Sequence, residues 1–341
     1  IVKQRTVEGL FPMSKKIPRV VRALVKEGAR ANNITRIVTV LNDQIVTRLL
    51  SMLHDQMGPA PVPFCWITFG SEGRKEQTFK TDQDNALLYE ALDGTEDQMK
   101  QVRAYFRRFG QEAAELLDAS GFPLCKGKMM ASNPRWRKPY VVWKGYFDRW
   151  MATPEPQEVL NATIFFDFRP EYGTMELGSD LRAHLTVEAP KKSFFLLFLA
   201  KDCMSGKLPL TFFKQFVLEK NGRHKNRVDL KTQGLTPFVN FARLMALRHG
   251  IKEPNTLERL ERLAEQDLIP KALYLETRDA YEFQMQLRLE NQLSMIEAGQ
   301  APDNYVDPDE LSDVDKQTLK EAFAVIGRVQ SYVKADFKVM E

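Results

Sequence analysis

Residues 67–88 read ITFGSEGRKEQTFKTDQDNALL, and the rest of the chain is organised around them. The pattern predicts a strand, a tight turn at Gly70-Ser71 into a short helix, a loop, and a second strand carrying Asp82 and Asp84. In a strand Asp82-Gln83-Asp84-Asn85 the side chains alternate faces, so the two carboxylates point the same way. Such a pair repels itself unless a cation lies between, and oxygen-only ligands suit Mg²⁺. Upstream, Gly70-Ser71 is expected to present backbone N–H groups at a helix start, where anions bind. An anion turn and a divalent-metal pair in one short stretch point to nucleoside triphosphate chemistry.

Working outward, residues 64–69 form an apolar run that suits a buried strand. Before it, residues 58–63 (GPAPVP) break a helical segment and enter the strand extended. Residues 1–57 read as helical, with one apolar stripe of Ile37, Val40, Leu41, Ile45, Leu49 and Leu53. After the central stretch, residues 86–89 continue the second strand, and residues 95–120 predict a long amphipathic helix stopped by Gly121. Residues 122–134 (FPLCKGKMMASNP) are rich in turn formers, a loop or edge strand with a binding surface. Its Lys126, Lys128 and Asn133 are candidates to touch nucleotide or acceptor. Trp136, Trp143 and Trp150 recur at spacing seven, which suits the packed side of a helix.

Residues 161–169 (NATIFFDFR) read as a further buried strand interrupted by Asp167. A carboxylate there costs several kcal/mol unless paired or on a metal. Alone it would suit a surface pair with Arg169; beside Asp82 and Asp84 it reads as a third metal-site carboxylate. From about residue 190 strands give way to helices at 191–218, 235–250, 256–266, 269–298 and 308–337.

The composition bounds the answer. The chain has 341 residues, 43% hydrophobic and 28% charged, enough for two cores of ordinary globular character. A net charge of +4 is too small and too dispersed to argue for nucleic acid. Cys65, Cys125 and Cys203 are odd in number and form no CxxC pair, a pattern of a reducing, cytoplasmic compartment without zinc or disulfide framework. His54, His184, His224 and His249 are scattered without the i,i+4 spacing of a zinc site. No apolar run is long enough to cross a bilayer, so no membrane partner is expected. The first residue is Ile1 rather than Met, which suggests a piece of something longer.

The G-S-x-G-R-x-E and T-D-x-D-N elements resemble the signature of the DNA polymerase β-like nucleotidyltransferase superfamily. Within it the chain is similar to the signal-transduction nucleotidyltransferases found beside CBS and cyclic-nucleotide-binding domains. These are related to the uridylyltransferases and adenylyltransferases of nitrogen regulation. The likeness continues through CKGKMMASNPRWR and IFFDFRPEYG into NTLERL and LRLENQ. The resemblance implies an α+β fold: a polymerase β-like mixed sheet with flanking helices at 58–188, after a helical segment at 1–57. An all-α substrate-binding bundle at 189–341 would follow. It assigns Asp82, Asp84 and Asp167 to catalysis and metal binding. Gly70, Ser71, Arg74 and Glu76 fall to the nucleotide, where Lys128 and Asn133 join them as the loop candidates. It also implies two Mg²⁺ or Mn²⁺ ions, an NTP substrate, and upstream CBS or cyclic-nucleotide domains in a longer chain.

The expected function is therefore metal-dependent transfer of a nucleoside monophosphate to an acceptor hydroxyl, on a protein or a small molecule, in regulation. The alternative is a catalytically silent nucleotide-sensing or protein-interaction module on the same fold. A template-directed polymerase would need a basic channel that the sequence does not show.

Overall fold

The computed structural model describes residues 1, 3–79, 82–152 and 162–339. They divide into two compact units, Ile1–Leu24 with Thr35–Glu188, and Val25–Ile34 with Ala189–Glu341.

The first unit is built on a four-stranded mixed sheet in the order β3-β2-β1-β4. Its strands are β1 (Phe64–Thr68), β2 (Asn85–Tyr89), β3 (Arg137–Pro139) and β4 (Arg169–Gly173). β1 pairs antiparallel with β2, Phe64 opposite Tyr89 and Thr68 opposite Asn85. It also pairs antiparallel with β4, while β2 and β3 run parallel. Every residue of β1 and β2 is buried, as apolar runs without alternation require.

Helices α1 (Ile17–Lys26) and α2 (Ala31–Met57) precede the sheet. The buried stripe of α2 is Ile34, Val38, Ile45, Leu49 and Leu53, whereas Val40 is 53% exposed. The expected stripe was thus out of phase in its first turns, where Thr35, Thr39 and Asn42 are the buried polar residues. A short helix α3 (Gly70–Gly73) follows β1. Helix α4 (Glu96–Ala119) begins with a Thr95–Gln98 capping box and is followed by Gly121 at φ +96°. Its face of Val102, Phe106, Phe109, Ala113 and Leu117 covers the sheet, Phe106 stacking on Tyr89 at 4.6 Å.

Helix α5 (Tyr140–Ala152) carries Trp143 and Trp150, which with Trp136 enclose Phe165 at ring distances of 4.3–5.7 Å. All three tryptophans are core, but only Trp143 and Trp150 share a helix; Trp136 lies just before β3, off the helix that the spacing predicted. Helix α6 (Met175–Glu188) closes this unit.

Two expected strands are corrected. Asp82 and Asp84 lie outside regular structure just before β2, which starts only at Asn85. Residues 162–165 are helical, and Asp167 sits in the bend that leads into β4 at Arg169; residue 161 lies outside the described residues. Short apolar runs do not separate helix from strand by pattern, and here the aromatic cluster settles the choice.

The second unit contains α7 (Ser193–Ser205), α8 (Thr236–His249), α9 (Thr256–Glu265), α10 (Lys271–Glu297) and α11 (Asp313–Asp336). α7 ends well short of residue 218, because Gly206 turns extended and Pro209 cannot continue a helix. Nor is the unit all-α: β5 (Val228–Asp229) and β6 (Tyr305–Val306) pair antiparallel. α8 is buried nearly all round, through Phe238, Phe241, Leu244 and Met245. α10 and α11 pack together through faces that include Leu289, Phe323 and Ile326. No helix among the described residues is long and apolar enough to cross a membrane.

The three cysteines are free thiols. Burial pushes Cys65 and Cys203 up to about 12, which keeps both protonated at neutral pH. In native protein at pH 8 at most one thiol, Cys125, will react with a thiol-exchange reagent, and all three after denaturation. Rapid native reaction of two or more would contradict this packing.

Candidate active site

The site begins where β1 stops. The Phe69 N–H donates to the Asp84 carbonyl at 2.9 Å, and the Thr68 hydroxyl donates to the same oxygen at 3.3 Å. Gly70 then turns left-handed at φ +57°, and a Cβ placed on it would lie 3.3 Å from Asp84 Oδ2. The second acid therefore lies close beside the glycine turn. The chain tightens into α3 through Gly73 N–H to Phe69 carbonyl and Arg74 N–H to Gly70 carbonyl, both 2.9 Å. The Glu76 N–H closes on the Ser71 carbonyl at 2.8 Å. The first N–H groups of this turn have no carbonyl one turn earlier within the helix.

Asp82 and Asp84 are oriented by the residues between and after them. Gln83 is buried, its side-chain amide donating to the carbonyls of Ala114 and Phe122 at 2.9 and 2.8 Å. Asn85 is also buried and accepts from the Ala131 N–H at 2.9 Å. With these two amides fixed inward, alternation sends Asp82 and Asp84 outward. The backbone N–H groups of Gln83 and Asn85 donate to Pro123 and Met129 carbonyls, drawing the 122–131 loop alongside. That loop brings Cys125 to the acids: one ligand atom each of Asp82, Asp84 and Cys125 lies within 4.8 Å of the others. Burial, and then the charge of Asp84, push the Cys125 thiol up. The donor set is thus two carboxylates beside a neutral thiol, and the carboxylate oxygens fit a hard divalent ion such as Mg²⁺.

The remaining expected residues are distributed differently. Asp167 is fully buried, and its Oδ2 accepts from Arg74 Nη1 at 2.9 Å. The same guanidinium donates through Nε to Glu76 at 2.7 Å. Arg74, Glu76 and Asp167 thus form one buried ionic group, and among the described residues the acids cluster with Cys125 rather than with Asp167. Lys128 is exposed at φ +54°, and Asn133 ties the loop by donating to its carbonyl at 3.0 Å and accepting from the Arg135 N–H. Lys126 lies exposed in the same loop.

A second acidic group was not foreseen. Glu72 of α3, Glu171 of β4 and Asp43 of α2 converge within 4.8 Å, with both glutamates buried. Arg169 holds the group, donating to Asp43 at 2.6 Å and to the Glu72 backbone carbonyl at 3.1 Å. Burial, offset in part by Arg169, raises Glu72 to about 8, and Glu171 rises well above the carboxylate range for the same first reason. One signal was available: Glu171 alternates with Arg169 on β4.

A glutamate raised in this way binds its proton more tightly folded than unfolded. Its contribution to stability therefore falls as pH rises from about 4.5 to about 8. Glu72→Gln will flatten that decline and unfold at higher denaturant than wild type at pH 8. An unchanged pH slope in denaturant titrations would refute the assignment.

Residues 15–157 match the family described as "Putative nucleotidyltransferase DUF294". Residues 193–337 match its companion, "Putative nucleotidyltransferase substrate binding domain". Both halves of the chain thus match models of a nucleotidyltransferase family. The first match takes in the Gly70 turn, the acidic pair and the Cys125 loop. It ends before Asp167 and β4, and the second match covers most of the helical unit. No curated protein matches the chain.

Proposed function

We propose that the chain transfers a nucleoside monophosphate from an NTP to an acceptor hydroxyl, releasing pyrophosphate, with Mg²⁺ or Mn²⁺ at Asp82 and Asp84. The observation that carries this reading is the close approach of Asp84 to the Gly70 turn, which sets a candidate anion turn beside a carboxylate pair. A divalent ion bound there would supply charge neutralisation and in-line alignment at the α-phosphorus. The Gly70-Ser71 backbone would hold the outer phosphates. The acceptor oxygen forms the new bond to the α-phosphorus as the α–β bridging bond breaks, and pyrophosphate departs with that electron pair. Asp82, the more exposed acid, is suited to take the hydroxyl proton.

For Asp167, the pairing with Arg74 supports a positioning role, through the segment that follows the phosphate turn, rather than a third metal contact. Lys128 and Asn133, on the loop beside the acids, are proposed to border the nucleotide. The helical unit, matching a substrate-binding description, is proposed to present the acceptor. A protein acceptor and a regulatory role follow from the resemblance to enzymes of nitrogen regulation.

The test is pyrophosphate release from each of the four common NTPs with Mg²⁺ or Mn²⁺ and cell extract, followed by identification of the α-labelled species. Release that disappears in Asp82→Asn is the expected result. Nucleotide binding with no release under any condition would overturn transfer and favour a sensing module.

A further inference from the structure

A cavity of about 700 Å³ lies at the other end of β2, between the first half of α4 and residues 134–146. Small-molecule sites occupy roughly 300–1,000 Å³. β2 carries the chain from Asn85, beside the acidic pair, to Tyr89 in the cavity wall. At the usual rise per residue that is about 13 Å, so this is a separate site.

Its charge is one-sided. Lys100, Arg103, Arg107, Arg137 and Lys138 line it, and among the described residues no Asp or Glu does. Lys100 and Arg103 have partners in Asp97 and Glu96, pairs that are exposed to solvent. Among the described residues no carboxylate pairs with Arg107, Arg137 or Lys138. Arg137 is only 8% exposed, and its Nη1 donates to the neutral carbonyls of Ala131 and Ser132 at 2.6 and 3.1 Å. Burial draws its pKa down, and Arg107 nearby adds to that. Cations gathered around a partly enclosed apolar space repel one another, and a bound anion relieves the cost. Guanidinium groups favour phosphate in particular. The lining also includes the apolar side chain of Val142 and the ring of Tyr146, and the cavity is large enough for more than phosphate alone.

We propose that this cavity binds a second nucleotide, with its phosphates on Arg107, Arg137 and Lys138 and its base against the wall at Tyr146. This nucleotide is held apart from the acidic pair and is not the one transferred.

The test uses the full chain with Asp82→Asn and Asp84→Asn, in chelator, so that the acidic site is disabled. ADP, GDP, CDP, UDP and inorganic pyrophosphate are titrated separately by calorimetry. One nucleoside diphosphate is expected to bind with unit stoichiometry, at least about tenfold more tightly than pyrophosphate. Adding Arg107→Glu and Lys138→Glu will weaken it at least about tenfold. Both positions are accessible to solvent, so the charge-reversed protein is expected to unfold at the wild-type denaturant midpoint. The proposal fails if no diphosphate binds, if pyrophosphate binds as tightly, or if binding survives the charge reversal. Because the readout is binding without turnover, absence of transferase activity would leave it standing.

Discussion

Asp84→Asn will lower pyrophosphate release by at least about a thousandfold while leaving the fold intact. The substitution keeps size and shape but removes the charge that the neighbouring Asp82 carboxylate would need as its partner in the proposed divalent-ion site. The backbone carbonyl of residue 84 takes the Phe69 N–H and the Thr68 hydroxyl, and neither bond depends on the side chain. The loss should therefore appear as weakened Mn²⁺ binding, read directly by paramagnetic resonance, with an unchanged denaturation midpoint. Retention of activity within tenfold of wild type would remove Asp84 from the proposed chemistry.

Gly73→Ala will be the most disruptive single methyl in the first unit, costing about 3 kcal/mol or more. A Cβ at residue 73 would stand 2.0 Å from the Asp167 carbonyl oxygen and 2.9 Å from that of Thr68. Both obstacles are backbone, so no side-chain rotation relieves them, and α3 must separate from the bend before β4. All four tryptophans, at 66, 136, 143 and 150, lie in the first unit, so their fluorescence reports its unfolding without interference from the helical unit. Wild-type stability in that assay would overturn the close packing of α3 against residue 167. Ser71→Ala supplies the control, since it alters the same short helix without adding an atom at the crowded position.

Much of this was legible in the chain. β1 and α4 follow from an apolar run and from a Thr95 cap with a regular stripe, because both are decided by local pattern. The Gly70 turn and the outward direction of Asp82 and Asp84 were legible as well, since the spacing is short, although the pair precedes β2 rather than lying in it. Asp167 was harder to place. Its ion pair with Arg74 spans 93 positions, and nothing local distinguishes a buried salt bridge from a metal ligand. Cys125 was passed over because a lone cysteine in a polar loop carries no pattern; its position depends on the carbonyls of Pro123 and Met129 meeting the backbone of Gln83 and Asn85. The Glu72–Glu171–Asp43 group joins three elements from distant parts of the sequence, and only the sheet order brings them together. The ribbon of β5 and β6 escaped notice for a simpler reason: two-residue strands leave no period to read.

The two inward amides on either side of Asp84 act as a phase lock on the site. Gln83 and Asn85 each spend their side chains on backbone carbonyls or N–H groups of fixed neighbours, so the frame of this segment is counted in single residues. Loss or gain of one residue between Asp82 and Asn85 would exchange the two sets, driving carboxylates into the core and amides into water. This tetrapeptide cannot change its length by even one residue without losing site and fold together.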